Sequence, residues 1–175
     1  MAAGGPGGSE TLGVARIKVQ TIIDARPRDV WRFVEDIGGH VDWMDDAVAI
    51  RFTSGQRSGV GASYECDTKI GPLRLTDVME ITEWSPGKAM GVRHVGLVTG
   101  EGTFTLTRAR RGRTRFTWTE RLTFPLWMGG PLGGIVGGQI LKRVWKRNLA
   151  NLRAQFARQP MRPRSTPTRL LRRAR

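Results

Sequence analysis

Residues 140–156, ILKRVWKRNLANLRAQF, set Ile140, Leu141, Val144, Trp145, Leu149, Leu152 and Phe156 three or four positions apart. Lys142, Arg143, Lys146 and Arg147 fall between them, so the stretch reads as one long helix with an apolar stripe and a basic face. Such a stripe must be covered by another layer. The material to cover it stands upstream, where the hydrophobic period is two rather than 3.6.

Residues 14–23, VARIKVQTII, place Ala15, Ile17, Val19 and Ile23 on one side and Arg16, Lys18 and Gln20 on the other, as a half-buried strand does. Asp24–Asp29 then turns the chain, with Pro27 suited to a first helical turn. Val30, Trp31, Phe33, Val34 and Ile37 follow at helical spacing, Gly38-Gly39 ends that helix, and a second short turn carries Trp43 and Met44. Alternation resumes with Val48, Ile50 and Phe52 and continues through Val60, Ala62, Tyr64, Cys66 and Thr68. Turn signals at GQRSG (55–59), IGP (70–72), SPGK (85–88) and RRGR (110–113) separate the runs, which end on Phe116, Trp118, Leu122 and Phe124. The expected order is strand, two short helices, six strands and a long helix. A strongly curved seven-stranded antiparallel sheet wrapped round the last helix would bury both apolar faces at once.

Composition narrows the function classes. The 39% apolar share with six Trp and six Phe supports one real core in 175 residues. No run approaches the ~20 apolar residues of a membrane span, and the opening MAAGGPGGSETLG carries no secretory pattern, so a cytoplasmic protein is expected. A single Cys66 excludes an internal disulfide, and with only His40 and His94 beside it neither a metal centre nor a cofactor is expected. The net charge of +14 is concentrated at one end: residues 1–138 hold 17 Lys and Arg against all 15 acids, whereas residues 139–175 hold 12 Lys and Arg and no acid. Residues 1–12 read as a disordered tail, 13–158 as the folded domain, and 159–175 as a second, basic disordered tail. That basic end is a solvated face, an attachment to anionic lipid headgroups, or a nucleic-acid contact. The body offers no nucleic-acid reader motif, so nucleic acid is set last.

The segments IDARPRDVWRFVEDIGGHVDW (23–43), EITEWSPGK (80–88), GTFTLTRARRGRTRFTWTERLTF (102–124) and LGGIVGGQILKRVWKRNLANLRAQF (132–156) resemble the START-like, or SRPBCC, superfamily and within it the polyketide cyclase/dehydrase-like branch. The resemblance spans about residues 14–157. It implies a helix-grip fold with a deep apolar cavity between sheet and last helix, in which members bind lipids, sterols, polyketides and other hydrophobic molecules, some acting as cyclases or aromatases. It also implies that the short helices plug one end of the cavity, with Trp31, Phe33 and Trp43 as floor or gate and the acids Glu35, Asp36, Asp42, Asp45 and Asp46 as a solvated rim. Packing alone is the alternative reading of those aromatics.

Strand parity selects the inward polar groups. Tyr64 and Cys66 ride with Ala62, Asp77 with Leu75 and Met79, His94 with Met90 and Val92, and Glu120 with Trp118 and Leu122. Asp77, His94 and Glu120 are thus the candidate proton-transfer groups, since a carboxyl in an apolar cavity can act as acid or base beside an imidazole. Ion pairing of Asp77 and Glu120 with Arg74, Arg93 or Arg121 is the competing expectation. Ligand contacts are expected from Trp31, Trp43, Tyr64, Met79, Met90, His94, Phe104, Trp118 and Glu120. A hydrophobic-ligand binder or carrier comes first, a cyclase or aromatase second, and an interaction module using the basic C-terminus third. No phosphate loop is present: GGPLGGIVGG (129–138) lacks the Lys-Ser/Thr pair, and its glycines leave room at the start of the last helix.

Overall fold

The computed structural model describes residues 13–124 and 130–157, with side chains in the last helix described from residue 136 onward. Seven strands, β1 (Gly13–Ile23), β2 (Ala47–Phe52), β3 (Ser63–Ile70), β4 (Leu73–Ser85), β5 (Ala89–Val95), β6 (Thr99–Arg108) and β7 (Thr114–Phe124), form one antiparallel sheet in the order β1-β7-β6-β5-β4-β3-β2. Between β1 and β2 lie α1 (Pro27–Val34) and a 3-10 turn (Gly38–Asp42); α2 (Gly130–Ala157) closes the chain. This is the helix-grip architecture. The two tails read as disordered, residues 1–12 and 159–175, lie outside the described residues, as do the side chains of most of the glycine-rich stretch at the start of the last helix.

Register explains where the core sits. Consecutive strands from β2 to β7 pair as hairpins, short ones after β3 and a longer 53–62 loop between β2 and β3, and β1 returns to pair with β7, Gly13 opposite Phe124 and Ile23 opposite Thr114. Alternation then puts Ala15, Ile17 and Val19 of β1 beside Phe116, Trp118 and Leu122 of β7 on the buried face. α2 lays Trp145, Leu149 and Leu152 on that face. Trp43, 1% exposed, sits at the centre of an aromatic cluster with His40, Phe104, Phe116 and Trp118.

Four local expectations are corrected. The first helix stops at Val34, and Gly38-Gly39 opens the 3-10 turn instead of ending α1. The Gly39 N–H donates to Asp36 O, and a Cβ there would press on the Asp36 carboxyl, which gives the glycine its reason. Val48 points outward at 54% exposure because a bulge between Ala47 and Ala49 inserts one residue and breaks the alternation of β2. Val60 is 61% exposed in the loop ahead of β3, where Gly59 and Gly61 both take left-handed φ.

The acids following the 3-10 turn are not a free rim. Asn148, fully buried on α2, accepts the Asp45 N–H at 3.0 Å and donates to Asp46 Oδ1 at 2.6 Å. Asn151 donates to the Trp43 carbonyl and to Asp45 Oδ1, and Arg147 pairs with Asp45 Oδ2 at 2.6 Å. Asp42–Asp46 is therefore a clamp that fixes the C-terminal half of α2, and burial raises the Asp46 carboxyl against the lowering effect of its Asn148 bond.

Candidate functional site

Sheet and helix enclose a cavity of about 340 Å³. Its wall is mainly apolar: Ile50, Leu75, Met79, Val92, Leu122 and Leu141 are representative, contributed by β2, β4, β5, β7 and α2. Of the residues expected to meet a ligand, Tyr64, Met79, Met90, His94, Phe104, Trp118 and Glu120 line it, and so does Asp77. Trp31 and Trp43 do not. Trp31 packs edge-to-face on Trp84 with 5.2 Å between centroids, Trp43 supports the wall from behind through Phe104 and Trp118, and Phe33 packs on Phe156.

At one place the wall brings three ionisable side chains together. His94 Nδ1 donates to Asp77 Oδ2 at 2.8 Å, and His94 Nε2 stands 3.4 Å from Glu120 Oε2. The Trp118 indole N–H donates to Glu120 Oε1 at 2.8 Å, and Trp118 itself stacks on Trp145 with centroids 4.7 Å apart. All three ionisable side chains are less than 9% exposed. Burial alone would pull the His94 pKa down, but the hydrogen bond to Asp77 and the nearby Glu120 outweigh it and push it up to about 9, so the imidazolium is the stable form at neutral pH. Neither acid pairs with Arg74, Arg93 or Arg121; Arg93 is bound at 2.6 Å to Glu80 on the outer face. Among the described residues, Asp77 Oδ1, Glu120 Oε2 and His94 Nε2 have no hydrogen-bond partner.

The cluster spans four strands, and its assembly depends on residues that parity alone did not single out. Asp77 on β4 and His94 on β5 are diagonal neighbours, because Met79 is the residue directly opposite His94. Glu120, however, lies on β7, separated from β5 by β6. Strands are ~4.8 Å apart, so an ordinary side chain on β6 would stand between the two. The inward positions of β6 here are Gly100, opposite His94, and Gly102, opposite Glu120. A Cβ on Gly102 would overlap the Glu120 carboxyl, and one on Gly96 would come within 2.7 Å of Asp77 Oδ1. A strip of bare backbone thus lets His94 and Glu120 meet across β6. The signal was in GEG (100–102): counting back from inward Phe104, both glycines fall on the inward face.

Sequence reasoning also missed Asp46, His40 and Trp145, all of which line the cavity. His40, 3% exposed, donates its Nε2–H to the Val34 carbonyl at 2.7 Å; burial drives its pKa down to about 4, and the ring is neutral. Burial pushes the Tyr64 phenol up, with the Cys66, Glu120 and Asp77 charges adding to it, and pushes the Cys66 thiol up to about 11. Cys66 is therefore a thiol and no nucleophile. Among the described residues, no group of three His, Cys, Asp or Glu side chains is arranged to hold a metal ion. What the arrangement can do is move a proton: an imidazolium flanked by two carboxylates can donate to, or accept from, a group brought against the apolar wall.

A curved antiparallel sheet closed on a terminal helix, with a cavity between them, is the helix-grip fold of START-like proteins. Residues 14–158 match the family described as polyketide cyclase / dehydrase and lipid transport, and the chain belongs to it. A search of curated proteins finds no significant match. Among solved structures, a protein of Thermus thermophilus aligns with TM-score 0.71 at 16% identity, covering 81% of this chain and 97% of that one. A START superfamily protein of Mycobacterium smegmatis aligns with TM-score 0.67 at 9% identity, covering 81% and 97%. The Zhui aromatase/cyclase of Streptomyces sp. R1128 aligns with TM-score 0.64 at 15% identity, covering 83% and 94%. At these identities the likeness is one of fold. No helix among the described residues is long and apolar enough to cross a membrane.

Proposed function

We propose that the protein is a cytoplasmic binder or carrier of a hydrophobic small molecule, held in the cavity between sheet and α2. The observation that carries this reading is the cavity itself: about 340 Å³, walled mostly by aliphatic and aromatic side chains, with a small set of convergent polar groups at one place. Affinity would come from apolar burial, and Tyr64, His94 and Glu120 would orient the ligand. The exposed row Lys142, Arg143 and Lys146 on α2 supports a contact with anionic lipid headgroups while ligand is exchanged. Native mass spectrometry of freshly purified full-length protein should show a mass above that of the chain, and solvent extraction should release one hydrophobic compound class. A bare chain mass from several expression hosts, with no hydrophobic compound retained on incubation, would count against it.

A second reading, an enzyme of the cyclase or aromatase type, is favoured by one specific observation. The contact of His94 with both Asp77 and Glu120 places an acid–base group against the wall where a bound polyketide-like molecule would sit. Glu120→Gln separates the two. In a binder the variant still carries the extracted compound with at most a modest change in affinity; in an enzyme it retains the compound but loses conversion of it by about 100-fold or more.

A further inference from the structure

The charges around the cavity are one-sided. Its wall carries three carboxyl side chains, Asp46, Asp77 and Glu120, and among the described residues no Lys or Arg. The undescribed stretch 125–129 and the helix positions 130–135 bring no charged residue either, since their sequence is PLWMGGPLGGI. His40 is neutral, held as a donor to the Val34 carbonyl. His94 is the one cation among the described residues of the wall, and it is shared between two carboxylates: Asp77 Oδ1 has no hydrogen-bond donor among those residues, and Glu120 Oε2 meets His94 Nε2 at 3.4 Å as an ion pair without hydrogen-bond geometry. The arginines and lysines among the described residues sit on the exterior, where salt screens them over ~8–10 Å, while the buried carboxylates act through a medium of far lower dielectric. The exterior is basic and the cavity is acidic.

An anionic head, such as the carboxylate of a fatty acid, would have to compete with Glu120 for the His94 Nε2–H, and it would enter against the excess of carboxylate charge. A head that donates hydrogen bonds, and above all one that carries positive charge, would meet the unpartnered acceptor side of the cluster and offset its excess negative charge. From this charge inventory and geometry we infer that the cavity selects hydrophobic molecules whose polar end is an amine, over neutral alcohols and against carboxylates. The inference rests on the binding reading above and narrows its ligand class.

The test compares three probes that share one chain and differ only at the head, dodecylamine, dodecanol and dodecanoate, each titrated below its micelle concentration or, for dodecanol, its solubility limit into the full-length protein by calorimetry at pH 7. Dodecylamine should bind at least tenfold more tightly than dodecanoate, with dodecanol between. Asp77→Asn and Glu120→Gln should each reduce that ratio at least threefold, the ratio cancelling any change in affinity common to all three probes. Equal binding of all three would leave hydrophobic binding standing and overturn the charge selection, as would a preference for dodecanoate. If none of the three binds, the cavity reading falls and this inference falls with it.

Discussion

His94→Gln should cost about 3–5 kcal/mol of folding stability at pH 7, the range found when one partner of a buried ion cluster is removed and the opposite charge is left behind. Asp77, His94 and Glu120 are 4%, 8% and 6% exposed, so water offers the two carboxylates little relief once the imidazolium between them is gone. Glutamine keeps a donor for Asp77 and roughly the same volume; the loss is one of charge. The companion variant is His94→Gln with Glu120→Gln, which removes one of the two stranded negative charges. It should regain at least half of the lost stability, the non-additivity expected of groups in contact. Urea denaturation of the parent, the two single variants and the double variant reads both effects. A His94→Gln variant within about 1 kcal/mol of the parent, or a double variant no better than that single one, would show that the cluster is not held by charge.

The two buried histidines should give stability a maximum near pH 6.5, with a loss on the order of 3 kcal/mol on each side. The two limbs have opposite origins. The folded-state pKa of His94 is raised to about 9, so its stabilisation is fully present below the unfolded value of 6.5 and disappears as pH rises through 9. The folded-state pKa of His40 is lowered to about 4, so the folded state resists protonation that the unfolded chain accepts, and stability is lost as pH falls from 6.5 toward 4. The groups facing His94 are Asp77 from β4 and Glu120 from β7; His40 faces the Val34 carbonyl and feels Asp36. On the acid side, Asp67, whose carboxyl the Arg51 guanidinium holds well below the usual range, adds a small exposed contribution in the same direction, and Asp46, raised by burial, works against it. Denaturation midpoints from pH 4 to 10 should trace the dome. His94→Gln should flatten the alkaline limb only, and His40→Gln the acid limb only. A flat alkaline limb in the parent protein would remove the imidazolium from the cluster.

Parity of two was enough to turn Asp77, His94 and Glu120 inward, and the same rule sends Arg93 and Arg121 to the outer face, which disposes of the arginine pairings weighed against them. Distance was not legible. Whether three inward groups touch depends on strand order and on the absence of two side chains from β6, and a hydrophobic pattern records which residues are present on a face without saying that a gap between neighbours is to be bridged. Trp31 and Trp43 mark a different limit. For Trp31, helical spacing says that the residue is buried, but the rotation of a two-turn helix decides whether it meets a cavity or Trp84; for Trp43, which follows the 3-10 turn, the path of that turn sends the ring into the aromatic core, and both are fixed by tertiary contacts. The acid at 46 read as solvated because its partner, Asn148, is polar, lies at the far end of the chain, and has no local signature.

The order of strands carries a consequence for the birth of the molecule. β2 to β7 can pair as they emerge, each with the strand just before it, yet β1 has one neighbour only, and that neighbour is the last strand made. The segment VARIKVQTII must therefore wait, alternating and sticky, through the synthesis of the whole meander before Ile23 can meet Thr114, and a loop of that span is slow to close. Its outward residues Arg16 and Lys18 are the kind of charged side chains that keep a lone strand from pairing with a stranger in the meantime. Of the seven strands, the first to be made is the last to find its partner.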